Sequence, residues 1–320
     1  MSKEPKSSSP LVSVVIAAYN SSGRLRCAVK SVLNQSHQNL EVIVIGDNCT
    51  DDSEVTLKGI DDSRIRWENL PTNWGEQSVP SNRGVEISRG DFIFFLNQDD
   101  LWLKNYIEDS LEEIEQRNLD VVWSEYLILP PRYRPHAKGF HPKLVGEFSR
   151  ENGIDPYIFI PASCTGWRQE ALKSIGGWRT AGDVVVSPSQ DLVWRANRAG
   201  LTCGKMKTPS VLVLWSGGRP GSYLPSYKPD DNEFWLDLLT SSPDSFSNEI
   251  EKAEKIANRK TVRVIYLLLG PVVNSLGFHP RSFELWLRYK MRGGFINSIR
   301  SRNSLDKKSF SMPNVSDQKR

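Results

Sequence analysis

Polar and acidic side chains that could bind a metal follow a short apolar run in the middle of the chain. The run from Phe92 to Leu96 predicts a strand buried on both faces, and it is followed directly by Asn97, Gln98, Asp99 and Asp100. Neighbouring carboxylates repel each other unless a cation or a helix N-terminus stabilises them, and Mg²⁺ favours carboxylate ligands combined with phosphate. Two interpretations stay open. Either the two aspartates bind a divalent metal, or one of them caps a helix that begins near Leu101.

Two other predicted strands also end in polar turns. The apolar run 11–18 is followed by Tyr19 and Asn20, and the run 40–45 is followed by Gly46 and Asp47. The carboxyl ends of parallel strands meet at one edge of a sheet, where open α/β folds bind ligands. We therefore expect the three turns to line one pocket. The alternative for Asp47 is an ordinary turn residue, since Asp-Asn sequences suit turns.

Alternating strand and helix patterns predict an α/β fold with a doubly wound, Rossmann-like, mixed but mostly parallel sheet. The apolar spacing indicates helices at 24–36, 52–59, 78–88, 101–117, 169–175 and 192–199, and further strands at 64–68, 119–126, 158–165 and 210–215. Neither a G-x-G-x-x-G nor a G-x-x-x-x-G-K-[ST] motif is present, so a dinucleotide fold and a P-loop are unsupported.

Charge is unevenly distributed along the 320 residues. The net charge is +3, but from Glu251 onward there are 15 Lys/Arg against 5 Asp/Glu, a balance of +10, which leaves 3 − 10 = −7 for the first 250 residues. We predict a disordered segment at 1–10, a catalytic domain at 11–235, a basic helical extension at 236–302 and a disordered tail at 303–320. The extension at 262–302 is interrupted and basic, which predicts a peripheral contact with an anionic membrane; the alternative is packing on the catalytic domain.

The cysteines and the N-terminus indicate a cytoplasmic setting, including the inner face of a membrane. The four cysteines are widely spaced without a C-x-x-C motif, which argues against a disulfide scaffold or a zinc site. The first ten residues are polar, so they do not form a signal peptide, and no apolar run is long enough to span a bilayer. The basic C-terminal part suggests an anionic partner, such as a membrane surface or a nucleic acid, and of these we expect no nucleic acid.

Two later regions carry further candidate residues. Asp191 opens a predicted helix, where it is only the helix cap unless the family resemblance that follows gives it a catalytic role; as a residue at a helix N-terminus we expect its pKa to be lowered. Arg219 lies in a loop rich in Gly and Pro, where it either folds onto a diphosphate or is simply solvated. The basic loop 132–143 meets an anionic acceptor or is solvated. Trp74, Trp102 and Trp167 lie near predicted rim turns, where sugars stack well.

Five segments in order resemble the family 2 glycosyltransferases of the GT-A fold. The segments are Val12–Asn20, Gly46–Asp52, Asn82–Gly84 with Ser88–Gly90, Leu96–Trp102, and Gly176–Trp178 with Ser189–Asp191. The resemblance covers residues 11 to about 201. It implies a nucleotide-sugar donor, a divalent metal (Mg²⁺ or Mn²⁺) and inversion at the anomeric carbon in one displacement.

The resemblance also assigns roles to individual residues. It implies that Ala17 and Tyr19 contact the nucleotide, that Asp47 bonds the base, that Asp99 is the metal carboxylate and that Asp191 is the general base. Together with their neighbours in these segments and the loop arginine, the predicted donor-binding residues are Ala17, Tyr19, Asn20, Asp47, Arg83, Asn97, Gln98 and Arg219. Three positions depart from the family pattern: Gly46 and Asn97 stand where the family has Asp, and Gln190 stands where it has Glu.

An inverting transfer of a sugar to a glycan or lipid-linked acceptor, in polysaccharide or cell-envelope synthesis, is the function that the sequence favours. A glycosidase requires two carboxyls that flank the scissile bond, and no leaving-group acid is apparent. Two alternatives stay open. One is a nucleotidyltransferase, for which Arg24 is the cation that the first turn offers; the other is a non-catalytic nucleotide-sugar- or membrane-binding protein on the same scaffold.

Overall fold

The computed structural model describes residues 9–129, 143–145, 159–184, 186–214, 221, 223–224 and 230–241. The strands are β1 Val12–Ala18, β2 Leu40–Gly46, β3 Ile65–Asn69, β4 Phe92–Phe95, β5 Leu101–Trp102, β6 Val121–Trp123, β7 Tyr126–Ile128, β8 Lys143–Val145, β9 Thr165–Arg168, β10 Cys203–Lys205 and β11 Val211–Val213. The helices are α1 Ser22–Leu33, α2 Ser53–Lys58, α3 Ser78–Glu86, α4 Tyr106–Arg117, α5 Gln169–Ser174, α6 Pro188–Arg198 and α7 Asp230–Ser241, with a 3₁₀ turn at Ala162–Cys164.

Within the described residues, seven strands form the main sheet in the order β10-β6-β9-β4-β1-β2-β3. All of its pairings are parallel except those that β9 makes with β4 and β6. The sequence prediction of an α/β fold with a mixed, mostly parallel sheet is therefore confirmed. The carboxyl ends of β1, β2 and β4 lie side by side at one rim, because Ala18 is in register with Gly46 and Val15 with Phe95.

Uninterrupted apolar runs explain why the central strands are buried on both faces. Every residue of β2 and of β4 is buried, and helix α3 packs against β1 and β2. Gly84 on α3 allows close packing, since a Cβ there would lie 2.4 Å from Cγ1 of Val15 on β1. Burying whole strands removes most of their apolar surface from water, at roughly 25 cal/mol per Å².

A second, four-stranded sheet in the order β5-β11-β7-β8 lies beside the first within the described part of the chain. Helix α7 packs next to it, where Trp235 joins an apolar cluster with Leu101, Leu127 and Leu212. The helix crosses position 235, where we predicted a domain boundary, and the ion pair of Glu233 with Arg26 at 2.5 Å joins it to α1. The division of the chain into domains stays a prediction.

Several predicted boundaries were wrong. The helix expected at 101–117 begins at Tyr106, because Leu101 and Trp102 pair with β11 as a strand instead. The strand expected at 119–126 stops at Trp123, and its continuation, β7, belongs to the second sheet. The expectation that sugars stack on Trp102 and Trp167 was wrong as well, since both indoles are buried in the core; Trp74 is 48% exposed.

Several predictions fall on residues that the structure does not describe. They concern Arg219, most of the basic loop 132–143, the extension from 242 to 302 and most of the two ends, 1–10 and 303–320, for which we predicted disorder. Among the described residues, no helix is both long enough and apolar enough to cross a membrane.

Candidate active site

The rim formed by β1, β2 and β4 brings most of the predicted site residues together. Asp47 follows β2 directly, and its backbone N–H donates to the carbonyl of Ala18 at 2.7 Å. Asn20, which adopts a positive φ of 36°, is joined to Thr50 by its side-chain oxygen and nitrogen. The three polar turns therefore lie on one edge of the sheet, as the sequence predicted.

Asp47 holds the loop that contains Asn73, Trp74 and Gly75. Its carboxylate accepts hydrogen bonds from the backbone N–H groups of Trp74 and Gly75, both at 2.7 Å, and from Nδ2 of Asn73 at 3.1 Å. The residue is only 4% exposed. Asp47 thus fixes the position of the loop 73–75. Its contact with the nucleobase of the donor stays a prediction.

The departure at Gly46 has a steric cause. A Cβ at this position would lie 2.5 Å from Oδ1 of Asn69 and 2.6 Å from the Trp67 ring. Asn69 in turn donates to the Cys49 carbonyl and accepts from the Cys49 N–H, so it is not free to move. The wall of this pocket therefore leaves no room for the aspartate that the family pattern has here.

Gln98 and Asn97 hold protein groups on either side of the turn. The amide of Gln98 makes two hydrogen bonds with the backbone of Tyr19, accepting from its N–H at 2.8 Å and donating to its carbonyl at 3.0 Å. Nδ2 of Asn97 donates to Oδ2 of Asp100 at 2.9 Å. Both residues were predicted to bind the donor; the structure gives each a contact that positions the rim, and their contact with donor stays a prediction.

Asp100 is a structural carboxylate that the sequence did not separate from Asp99. It is 1% exposed, and besides Asn97 its oxygens accept hydrogen bonds from Oγ of Ser163 at 2.5 Å and from the N–H of Leu214 at 3.1 Å. Burial, followed by the charge of Asp99, raises its pKa to about 7. Helix α4 begins only at Tyr106, so the interpretation that either aspartate caps a helix is wrong.

Asp99 lies beside a buried arginine. Its Oδ2 is 3.7 Å from Nη1 of Arg24, whose side chain is 1% exposed, and the Arg24 guanidinium lies over the Tyr223 ring at 4.7 Å from its centroid. The backbone carbonyl of Asp99 accepts a hydrogen bond from Nδ2 of Asn232 on α7. Arg24 follows the first turn closely in sequence, but nothing in its spacing indicated that it faces Asp99.

The donor set at this rim fits a metal that arrives with a phosphate ligand. Among the described residues, no group of three or more His, Cys, Asp or Glu side chains is arranged to hold a metal. Asp99 contributes a single carboxylate, which suits Mg²⁺, since this ion is usually held by one or two carboxylates together with substrate phosphates and water.

Of the remaining predicted donor residues, the structure describes Ala17 and Arg83. Ala17 is partly buried on β1, in register with Ile45. Arg83 on α3 makes hydrogen bonds with Glu68 and Glu86, and these bonds raise its pKa. This guanidinium is therefore already paired with two carboxylates.

Asp191 lies in the first turn of α6 but is not its cap. Ser187 is the N-cap, accepting the N–H of Gln190, and Pro188 occupies the first helical position, so the cap interpretation of Asp191 is wrong. Its Oδ2 accepts a hydrogen bond from Nε of Arg195 at 2.7 Å. Burial raises the pKa of Asp191 by more than Arg195 and Arg179 lower it, so our expectation of a lowered pKa was wrong.

Two contacts attach the region before Asp191 to the rim. The ring of Trp178 packs edge-on against Phe95, the last residue of β4, with centroids 5.0 Å apart. Glu76, which follows the loop held by Asp47, has its pKa raised by burial, and a backbone hydrogen bond from Ala181 opposes this shift. Neither Trp178 nor Glu76 was predicted to link the two regions.

Comparison with known proteins is consistent with this geometry. Residues 13–176 match the family model described as glycosyl transferase family 2. Poly(ribitol-phosphate) beta-N-acetylglucosaminyltransferase TarP of Staphylococcus aureus is 34% identical over 156 residues, which cover 48% of this chain and 46% of TarP. The UDP-Glc:alpha-D-GlcNAc-diphosphoundecaprenol beta-1,3-glucosyltransferase WfaP of Escherichia coli is 33% identical over 119 residues, covering 37% of this chain and 47% of WfaP. The chain thus spans about half the length of these curated relatives.

The fold also matches solved structures. The crystal structure of residues 1–349 of S. aureus TarS in complex with UDP-GlcNAc aligns with a TM-score of 0.53 at 16% identity, covering 92% of this chain and 90% of that one. At this identity the similarity concerns the fold alone, and it confirms the predicted GT-A architecture.

Proposed function

The chain belongs to glycosyl transferase family 2, and on that premise we propose that it is an inverting glycosyltransferase. It transfers a sugar from a nucleoside diphosphate donor to a hydroxyl of a glycan or lipid-linked acceptor. The observation that carries the proposal is the convergence of Tyr19, Asp47 and Asp99 at the ends of three neighbouring strands, since open α/β sheets bind ligands at this edge.

Different parts of the rim serve different parts of the donor. Asp47 and the loop 73–75 that it holds contact the nucleoside. Tyr19, in the turn after β1, is held by Gln98 in the turn after β4 and also contacts the nucleotide. Asp99 holds the divalent metal together with the diphosphate of the donor. When bound, the metal offsets the negative charge that develops on the departing diphosphate.

Asp191 is the general base of the transfer. Its carboxylate takes the proton of the acceptor hydroxyl while the hydroxyl oxygen forms a bond to the anomeric carbon on the face opposite the diphosphate. The bond between the anomeric carbon and the diphosphate oxygen breaks at the same time, and its electron pair leaves with the diphosphate. One displacement of this kind inverts the anomeric configuration.

The raised pKa of Asp191 suits this role. A general base works best when its pKa is close to the operating pH, and burial moves the carboxyl in that direction while Arg195 and Arg179 favour its ionised form. The third departure from the family pattern, Gln190, lies next to Asp191 and is 7% exposed. Its amide removes a neighbouring negative charge that would favour protonation of Asp191.

The acceptor and the setting are also proposals. The names of the relatives specify a poly(ribitol-phosphate) acceptor for TarP and a diphosphoundecaprenol-linked acceptor for WfaP. We extend the same class, a cell-envelope glycan or lipid-linked sugar, to this chain. The basic stretch 262–302, which lies outside the described residues, would place a cytoplasmic enzyme at an anionic membrane surface beside such an acceptor.

A donor screen tests the proposal. The full chain is incubated with UDP-, GDP- and dTDP-sugars in Mg²⁺, Mn²⁺ or chelator, and both binding and release of the nucleoside diphosphate are measured. We expect one class of donor to bind and to release its diphosphate with metal only.

Two other outcomes would replace the proposal. Binding without release in the presence of candidate acceptors would favour the non-catalytic alternative. Release of pyrophosphate from a nucleoside triphosphate and a sugar phosphate would favour nucleotidyl transfer.

A further inference from the structure

Arg195 on α6 makes hydrogen bonds with two separate parts of the chain. Its Nε donates to Oδ2 of Asp191 at 2.7 Å, while Nη1 donates to the carbonyl of Ile175 and Nη2 to the carbonyl of Gly177. The side chain is 8% exposed. A planar guanidinium with three acceptors in different directions has its orientation fixed, which the flexible ammonium of a lysine would not reproduce.

The turn that supplies the two carbonyls is itself held in place. Gly176 and Gly177 have φ values of 75° and 65°, which side-chain-bearing residues rarely adopt. Asn82 on α3 makes two hydrogen bonds of 2.9 Å with the backbone of Trp178, donating to its carbonyl and accepting from its N–H. A Cβ on Gly177 would lie 2.8 Å from Oδ1 of Asn82, so the turn and α3 approach as closely as glycine permits.

The two oxygens of Asp191 consequently have different surroundings. Oδ2 is occupied by Arg195, whereas within the described part of the chain Oδ1 accepts no hydrogen bond. Among the described residues, Nη1 of Arg179 lies 3.9 Å from Oδ1, beyond hydrogen-bond distance, and this side chain is 28% exposed. Oδ1 is therefore the oxygen that remains for an incoming hydroxyl.

We propose that Arg195 is a positioning residue for glycosyl transfer, which fixes Asp191 through Oδ2 so that Oδ1 takes the proton of the acceptor. The inference rests on the proposed function, and it adds that the Gly-Gly-Trp turn and Asn82 set the place of the base relative to the donor rim. Arg195 does not touch the substrate in this arrangement, and it acts on the reaction only through Asp191.

The charges around Asp191 determine how the proposal shows in a pH profile. Arg195 from its own helix and Arg179 from the preceding segment favour the ionised carboxylate, while Asp183 and burial favour the protonated one. The reaction requires the ionised form, so its rate falls as the pH drops through the pKa of Asp191. Removing the positive charge at position 195 raises that pKa. The acid limb of the pH profile, which is the range where the rate falls as the pH is lowered, then moves to higher pH.

Two substitutions separate the charge of Arg195 from its shape. Arg195→Lys keeps the positive charge but loses the planar set of N–H donors that contacts three acceptors. The acid limb therefore stays in place, while the rate falls about 10-fold at every pH. Arg195→Met loses both, so the rate falls at least about 100-fold and the acid limb moves up by about one pH unit or more. Arg198→Met, three residues further along the same helix, is the matched control and leaves both unchanged.

The rate is measured as UDP release from UDP-glucose and UDP-GlcNAc between pH 5 and pH 9, and UDP affinity is measured by calorimetry. All variants should bind UDP within about twofold of the wild type, because the positioned group is the base and not the donor site. A purely structural role predicts instead that Arg195→Met and Arg195→Lys lower thermal stability with an unchanged acid limb and an unchanged rate per folded molecule. That result would overturn the inference.

A second measurement does not depend on turnover. The side-chain carboxyl carbon of Asp191 is followed by NMR with ¹³C-labelled aspartate, and Asp191→Asn assigns the signal. The titration should move to higher pH in Arg195→Met and stay near the wild-type value in Arg195→Lys; an unmoved titration in Arg195→Met refutes the inference. If Arg195→Met does not fold, an unchanged rate in Arg195→Lys refutes it. Absence of UDP, GDP and dTDP binding by the wild type would instead refute the proposed donor site and leave this titration as the decisive result.

Discussion

Arg24 places a buried positive charge 3.7 Å from Oδ2 of Asp99, the carboxylate on which the proposed metal site depends. The arginine is 1% exposed and the aspartate side chain 12%, so neither charge is fully hydrated. The guanidinium partly balances the negative charge of Asp99. The protein alone therefore offers a divalent cation little net charge, and a metal gains most of its ligands from the diphosphate of the donor.

Asp99→Asn should remove the metal dependence of donor binding. The change keeps the size of the side chain but loses a charged ligand that contributes roughly 1.5–3 kcal/mol, so UDP affinity in Mn²⁺ should fall by about 10- to 100-fold. Calorimetry with Mn²⁺ and with chelator measures the effect. The exposed Asp61→Asn serves as the control. If Asp99→Asn retains tight UDP binding that chelator abolishes, Asp99 is not the metal ligand.

Asp191→Asn should abolish transfer without weakening donor binding. An amide cannot take the acceptor proton, so we expect UDP release to fall at least about 100-fold, the usual scale for a positioned general base. Ser187→Ala on the same helix removes the cap and should lower the free energy of unfolding by about 1 kcal/mol while transfer persists. Near-normal transfer by Asp191→Asn would exclude the base role.

Glu41 should make stability depend on pH without affecting the rim. It lies on β2 at the end opposite Asp47, with hydrogen bonds from Ser13, Arg66 and Arg89. Burial alone would raise its pKa, but the hydrogen bonds from Ser13 and Arg89 outweigh this and lower the pKa.

Because the folded-state pKa of Glu41 is lowered, its contribution is complete above the unfolded value of 4.5 and is lost as the pH falls through the folded value. Glu41→Gln should therefore be less stable than the wild type at pH 7, by about 1–3 kcal/mol, and the difference should shrink below pH 4.5. Urea unfolding at several pH values measures this. A difference that is constant with pH would contradict it, and UDP affinity should not change.

Gly46→Ala should destabilise the fold, although alanine is a small residue. The new Cβ would lie 2.5 Å from Asn69 and 2.6 Å from Trp67, so the pocket wall must shift, at a cost of about 1–3 kcal/mol. Gly59→Ala is the control, since its Cβ would meet backbone oxygens only at 3.4 and 3.5 Å. The melting temperatures of the two variants are compared by thermal unfolding. Equal values would show that Asn69 and Trp67 can move aside without loss of stability.

The full chain should bind anionic vesicles at low salt. Each Lys or Arg near such a surface contributes about 1 kcal/mol, and screening weakens the attraction as salt increases. Flotation with phosphatidylglycerol vesicles at low and high salt tests this, with phosphatidylcholine vesicles as the neutral control. Failure to float with anionic vesicles at low salt would reject the membrane contact.

The sequence alone predicted that three strands end in polar turns at one rim, because uninterrupted apolar runs are a strong and local signal. Residue spacing did not separate Asp99 from the adjacent Asp100, and only the family resemblance favoured Asp99 as the metal ligand. Asp100 is buried by Ser163 and Leu214, which lie 63 and 114 residues away along the chain. Hydrogen-bond partners at such separations depend on how the two sheets pack together. The spacing of residues along the sequence does not reveal this packing.

The predicted start of α4 and the predicted lowering of the pKa of Asp191 were wrong for a similar reason. Leu101 and Trp102 precede a helix in the sequence, but pairing with β11 holds them extended. The helix N-terminus at Asp191 is a local feature that favours ionisation, whereas its burial results from the whole domain and has the larger effect. Local sequence patterns predicted most helices and strands, whereas tertiary contacts determine the pKa values and the hydrogen-bond partners of the side chains.

The pair of hydrogen bonds between Asn82 and Trp178 has a practical consequence for building hybrid enzymes. The segment after Trp178 carries the proposed base, while the segment before it carries the proposed donor rim, so the turn is a natural junction for exchanging acceptor halves between relatives. A hybrid will place the proposed base correctly only if Asn82 and Gly177 come from one parent with a compatible Arg195 from the other. Chimeras cut here should therefore transfer acceptor preference as a unit when these three residues match, and should bind donor yet turn over slowly when they do not.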